Sequence, residues 1–250
     1  TQLPHGDCPT LFPLPRLTPG SSAPSGAPLP THVHKAGGDQ GDAAQVGVWR
    51  DGAPGTMGSW EPAPGSSSVL LDRGQSHAAK DFWDPVKQRR LLWLWGFSSP
   101  AGKTRSSLLA LREVTYHATL QRLVYAPIEE LSKLREGVVA SLPRPAALRP
   151  GGAPVNIRAG AAVDVELHFA VPAAASTLAV AIGGVGSVYI EYSPPPPDAR
   201  SSSYTVGVGF RSSQAEGPHY EDQLPLLRTD DHLALRLLLD NSAAEAFWQG

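Results

Sequence analysis

Gly6-Asp7-Cys8-Pro9-Thr10-Leu11-Phe12-Pro13-Leu14-Pro15 sets an acidic residue beside the only cysteine of the chain, directly before a proline-stiffened run. Proline restricts φ and removes an amide donor, so the run reads as an extended strand with Asp7 at its end. A carboxylate held there on a backbone with little freedom suits a catalytic acid. The competing reading is a polar loop residue ahead of a Pro-rich edge strand.

Outward from this stretch the chain reads as strand after strand. Gln45 to Arg50 alternates, with Val46 and Val48 on one face and Trp49 on the other, and Asp51-Gly52 supplies a hairpin turn signal. Arg90 to Trp95 is hydrophobic on both faces, as in a strand buried at the centre of a sheet, which favours packing over sugar stacking for Trp93 and Trp95. Glu113 to His117 and Leu120 to Tyr125 form a further short pair. Pro127 to Arg135 carries the signs of a helix: proline at its first position, Glu129 and Glu130 in the first turn, basic residues in the last, and an apolar stripe of Ile128, Leu131 and Leu134. Beyond the Pro-rich segment from Leu142 to Pro154 the alternation is clean: Val163, Val165, Leu167 and Phe169 share one face, and Asp164, Glu166 and His168 the other. Similar runs follow at Leu178 to Ile182, Val188 to Tyr192, Tyr204 to Phe210 and Leu233 to Leu239, as expected of a β-sandwich.

The composition agrees with an all-β chain. Twenty-five Gly and twenty-five Pro among 250 residues supply many turns. A net charge of −2 offers no basic field for nucleic acid or an anionic membrane, and no apolar run reaches the ~18 residues that suggest a membrane span. One cysteine cannot form an intramolecular disulfide. Thr1 to His5 shows neither the charged leader nor the apolar core of a signal peptide, so the compartment stays open.

Five stretches, in order, carry a family resemblance. Gly6-Asp7-Cys8-Pro9 resembles the E-C-P motif of glycoside hydrolase family 32, the invertases, inulinases and related β-fructofuranosidases. Thr31-His32-Val33 with Gln45 to Trp49 is similar to the family's THV and YMVG strand pair. Asp72 to Asp84, followed by Arg89-Arg90-Leu91-Leu92-Trp93, resembles D-x-G-x-x-Y-A-S-K-T-F-x-D and RR-I-L-W-G-W, the most specific match of the set. Leu108 to Glu113 resembles L-S-L-P-R-E, and Asp240 to Phe247 resembles D-x-S-x-x-E-x-F.

The resemblance implies a fold and a chemistry. The fold is the later part of a five-bladed β-propeller over residues 1–125, a short helix and Pro-rich linker over 126–154, and a β-sandwich over 155–250 expected to lack its last strand. The chemistry is retaining hydrolysis, or transfer, of terminal β-D-fructosyl residues of sucrose or fructans, without a cofactor. Asp7 matches the family's acid/base Glu, one methylene shorter. Asp72 and Lys80 match polar positions around the sugar pocket, with a surface ion pair as the competing reading, Trp49 offers a stacking face, and Cys8 is placed to tune the acid's pKa through local polarity. His77 stands where the family has Tyr. The family's nucleophile motif W-M-N-D-P-N-G and its R-D-P motif do not occur in these residues. Asp84 falls within the third match and reads as a structural acid. A Cys8 nucleophile with His5 as base lacks an orienting third group, and a cysteine before proline reads more simply as buried packing. His32 and His34, two apart on a strand, have no further metal ligands at convincing spacing. A non-catalytic sugar-binding or structural protein that kept the fold is the rival from another class.

Overall fold

The computed structural model describes residues 6–23, 28–38, 41–98, 105–141, 148–149, 151–197, 201–241 and 243–250. The chain divides into two compact units, Thr1–Ile128 and Glu129–Gly250. His5 and much of the Pro-rich segment after Ser141 lie outside the described residues.

The first unit holds two antiparallel sheets. One comprises β1 (Asp7–Pro13), β2 (His32–Gly38), β3 (Gly41–Arg50) and β4 (Ser59–Pro62) in that order, with β5 (Val69–Leu70) also pairing with β3. The other is ordered β10-β9-β7-β6, from β6 (Ser76–Asp84), β7 (Arg89–Ser98), β9 (Arg112–His117) and β10 (Arg122–Pro127), with β8 (Arg105–Leu108) beside β7. Up-and-down sheets of about four strands are the form of propeller blades. A single core lies between them: Phe12, Val33, Ala44 and Val46 of the first sheet meet Leu92, Leu94, Val114 and Tyr116 of the second. The period of two makes this possible, because Val33 and Val46 are directly paired and therefore point to the same face.

The second unit also holds two sheets. β11 (Ala162–Ala170), β16 (His232–Asp240) and β17 (Ala243–Trp248) are ordered β11-β16-β17, and β12 (Ser176–Ile182), β13 (Gly186–Tyr192), β14 (Ser203–Ser212) and β15 (His219–Leu227) follow chain order. Leu233, Leu235 and Leu237 of β16 share hydrophobic clusters with Ile190, Val188 and Leu226 of the four-stranded sheet, so the two sheets bury their apolar faces together. β15 escaped the sequence reading because Pro225 interrupts it. A proline is tolerated there since the strand is at the sheet edge.

Three expectations are corrected. The helix is a short 3-10 segment, Glu129–Leu134, with no buried residue, and Leu134 is 77% exposed. Six residues are too few to nucleate an α-helix without an apolar face to bury. Arg135 just beyond it pairs instead with Asp164 and Glu166 on β11. Asp51-Gly52 does not close a two-residue hairpin: β3 and β4 pair from Arg50 and Ser59, across an eight-residue loop. Trp95 is not core but 43% exposed, leaving Leu91, Leu92 and Leu94 to carry the burial of β7.

Candidate functional site

β1 and β6 lie side by side with their starts at the same end. Two links show it: Thr10 Oγ1 donates to Asp81 Oδ1 at 2.6 Å, and the buried Lys35 Nζ donates both to the Cys8 carbonyl at 2.9 Å and to the Ala79 carbonyl at 2.7 Å. Residue numbers rise in step along the two strands, so they run in the same direction. Each strand begins with a bulge, between Asp7 and Thr10 in β1 and between His77 and Lys80 in β6. Each bulge holds a non-glycine residue in the left-handed region, Cys8 at φ 48° and Ala78 at φ 53°. That conformation costs on the order of 1 kcal/mol or more, and bulges that carry it re-aim the neighbouring side chains.

Asp7 and Lys80 stand at these two bulges, both exposed. The two residues singled out in the sequence thus stand at the same end of adjoining strands. Asp72 lies just before β6: its Oδ1 accepts from the Gly74 amide at 2.7 Å, and its Oδ2 accepts from Arg112 Nη2 at 2.6 Å. Both oxygens are thus committed to a turn and to an ion pair with a guanidinium that is itself buried. Trp49 is not brought to Asp7. It sits toward the far end of β3, opposite Trp60, with its indole N–H donated to Asp51 Oδ1 at 2.9 Å. Cys8 corrects the expectation of a buried packing residue, since it is exposed. A residue forced into a left-handed bulge turns its backbone rather than its side chain inward, and its carbonyl is what Lys35 holds.

Sequence reasoning missed the groups that build this end. Lys35 is 1% exposed, and Asp42 on β3 is 2% exposed. Lys35 Nζ lies 3.9 Å from Asp42 Oδ1, and Asp42 Oδ2 accepts from the Ala79 amide at 3.1 Å. Burial pushes the Lys35 pKa down, while the negative charges of Asp42 and Asp81 oppose that shift. His34 next to it, 3% exposed against Trp60, is likewise held below the usual histidine range by burial first and then by the Lys35 charge. Gly37 brings Asp42 toward Asp7: a Cβ there would lie 3.3 Å from Asp42 Oδ1 and 3.4 Å from Asp7 Cβ. Asp81 takes a second bond from Arg90 Nη1 at 3.1 Å, and the Arg90 guanidinium covers the Phe12 ring at 4.7 Å. Parity was the available signal. Lys35 falls two residues after Val33 and so shares its core-facing side.

Asp84 has the structural part expected of it. Its carboxylate accepts from the Val86 and Lys87 amides and from Arg89 Nε, closing the β6–β7 turn. The hydrogen bond from Arg89 is the main cause of its lowered pKa.

No protein-family model matches the chain. It is similar to acid beta-fructofuranosidase of Solanum lycopersicum, at 29% identity over 224 residues covering 73% of this chain and 35% of that protein. It is similar also to acid beta-fructofuranosidase 4, vacuolar, of Arabidopsis thaliana, at 26% identity covering 88% of this chain and 40% of that protein. The chain thus spans little more than a third of the length of these curated relatives. Its fold is shared with fructan 1-exohydrolase IIa from Cichorium intybus, with a TM-score of 0.75 at 20% identity over 97% of this chain and 53% of that one. Sequence relatives and a common fold agree with the ordered motifs: the chain is similar to acid β-fructofuranosidases and shares the fold of a fructan exohydrolase, as its resemblance to glycoside hydrolase family 32 implies.

Proposed function

We propose that this chain carries the acid/base part of a fructosyl hydrolase acting on terminal β-D-fructosyl residues of sucrose or fructans, in a complete protein whose five-bladed propeller is joined to a β-sandwich. The observation that carries the reading is the placement of Asp7 and Lys80 on adjoining bulges at the same end of β1 and β6. Asp7 is open to solvent where a leaving oxygen can approach it, and protonating that oxygen contributes typically a hundredfold to ten-thousandfold. Lys80 supplies a cation and donor for sugar hydroxyls beside it.

Retention requires a second carboxylate at roughly 5 to 5.5 Å to act as nucleophile. Asp42 does not serve, because it is buried and faces Lys35 rather than solvent. The resemblance assigns that role to the N-D-P-N-G motif, which these residues do not contain. The chain by itself is therefore expected not to release fructose. The test joins the preceding residues of the tomato relative to this chain and measures fructose release from sucrose and inulin. Activity that falls about a hundredfold or more with Asp7→Asn supports the proposal. A folded chimera in which Asp7→Asn leaves the rate unchanged refutes it.

A further inference from the structure

Lys35 is a charged side chain that is almost completely buried. Buried charge is costly unless paired and hydrogen-bonded, and Lys35 is both. Its two carbonyl partners are not arbitrary. Cys8 directly follows Asp7, Ala79 directly precedes Lys80, and both lie in the bulges where the strand ladders are interrupted. A buried carbonyl without a partner costs about 1–3 kcal/mol, so each bulge, with its left-handed residue, leaves an acceptor that the ladder does not satisfy. An ammonium on a four-carbon stem carries three donors. Two go to these carbonyls, and the third side faces Asp42, which in turn accepts the Ala79 amide.

We infer that Lys35 is the positioning residue of this end of the molecule: with Asp42 it clamps the two bulges together and so sets where Asp7 stands relative to Lys80. The clamp is a matter of geometry in this chain, while its consequence for turnover rests on the reading of Asp7 and Lys80 given above. Apolar packing alone would hold the sheets in contact yet leave the register of the two bulges free. The ammonium fixes that register because its bonds are short and directional.

The test has three arms. In the unmodified chain, labelling cysteine with carbonyl ¹³C marks Cys8 uniquely, and a scalar coupling across the hydrogen bond from the Lys35 ¹⁵Nζ is expected. Its absence in the folded chain overturns the clamp without any mutation. Next, Lys35→Met combined with Asp42→Asn removes the bonds without leaving an orphaned buried charge. Amide exchange in segments 7–12 and 77–82 is expected to accelerate about tenfold or more, with β9, β10 and the second unit unchanged. Equal acceleration throughout, or none in the two segments, makes Lys35 an ordinary core residue. Last, in the active chimera the same double substitution is expected to lower kcat about tenfold to a hundredfold with KM little changed, since an ångström of misplacement costs that much. Selective loosening of the two segments with kcat unchanged upholds the clamp and refutes the functional reading of Asp7.

Discussion

Thr10 Oγ1 on β1 donates to Asp81 Oδ1 on β6 at 2.6 Å, and with the bonds that Lys35 and Asp42 make to Ala79 it joins the two sheets of the first unit. Asp81 is nearly enclosed, at 4% side-chain exposure, and its other oxygen is taken by Arg90. Hydrogen bonds to charged groups contribute about 1.5–3 kcal/mol. Thr10→Val keeps the shape and the β-branching while leaving a buried carboxylate oxygen unpaired, so it is expected to cost about that much. Urea unfolding of the two proteins checks it, read as a lower midpoint with the slope preserved.

Asp7 reaches one methylene less far than the glutamate of the resemblance. In the active chimera Asp7→Glu is expected to match or exceed the starting rate. Asp7→Asn should slow sucrose severely while sparing fructosides with good leaving groups, because these depart without protonation. Comparing kcat/KM for sucrose with that for an activated aryl fructoside separates the two cases.

Cys8 is exposed, and no other cysteine competes with it. The native chain is expected to react with one equivalent of a thiol reagent at a rate close to that of the unfolded chain. Protection of the thiol until denaturant is added would show that the bulge turns the side chain inward after all.

Asp164 sits between two guanidiniums. Arg236 approaches at 2.8 Å and Arg135 at 2.6 Å, with Asp164 14% exposed and Arg135 40% exposed. Burial pushes the carboxyl up, but the hydrogen bonds and charge of Arg236 and Arg135 together outweigh it and hold its pKa below the ordinary 3.8. The folded value is the lower one, so the contribution is fully present above about pH 4 and is lost as pH falls through the folded value. Asp164→Asn is expected to cost about 1–2 kcal/mol at pH 7, after allowance for solvent around Arg135. The difference should shrink toward pH 2, and unfolding midpoints measured across that range would show it.

Local sequence determined the strands. Alternation with period two needs only neighbouring residues, so β3, β7, β11 and β16 were legible from Val46 and Val48, Leu92 and Leu94, Val163 and Val165, and Leu235 and Leu237. The family resemblance was legible too, because the motifs that carry it are short runs of contiguous residues. Helical propensity over residues 127–135 misled, since a segment with no surface to cover gains nothing from an apolar stripe. The arrangement of the site was decided elsewhere. Lys35, Asp42, Ala79 and Cys8 are up to seventy-one residues apart and meet only where two sheets close over one another. In a strand a lysine is read as solvent-facing, and it becomes a clamp only when a second sheet removes the water and adds the Ala79 carbonyl to that of Cys8 on the neighbouring strand. Burial and long-range acceptors belong to the tertiary structure, which is why Asp7 could be singled out in the sequence and the buried groups at its end of the strands could not.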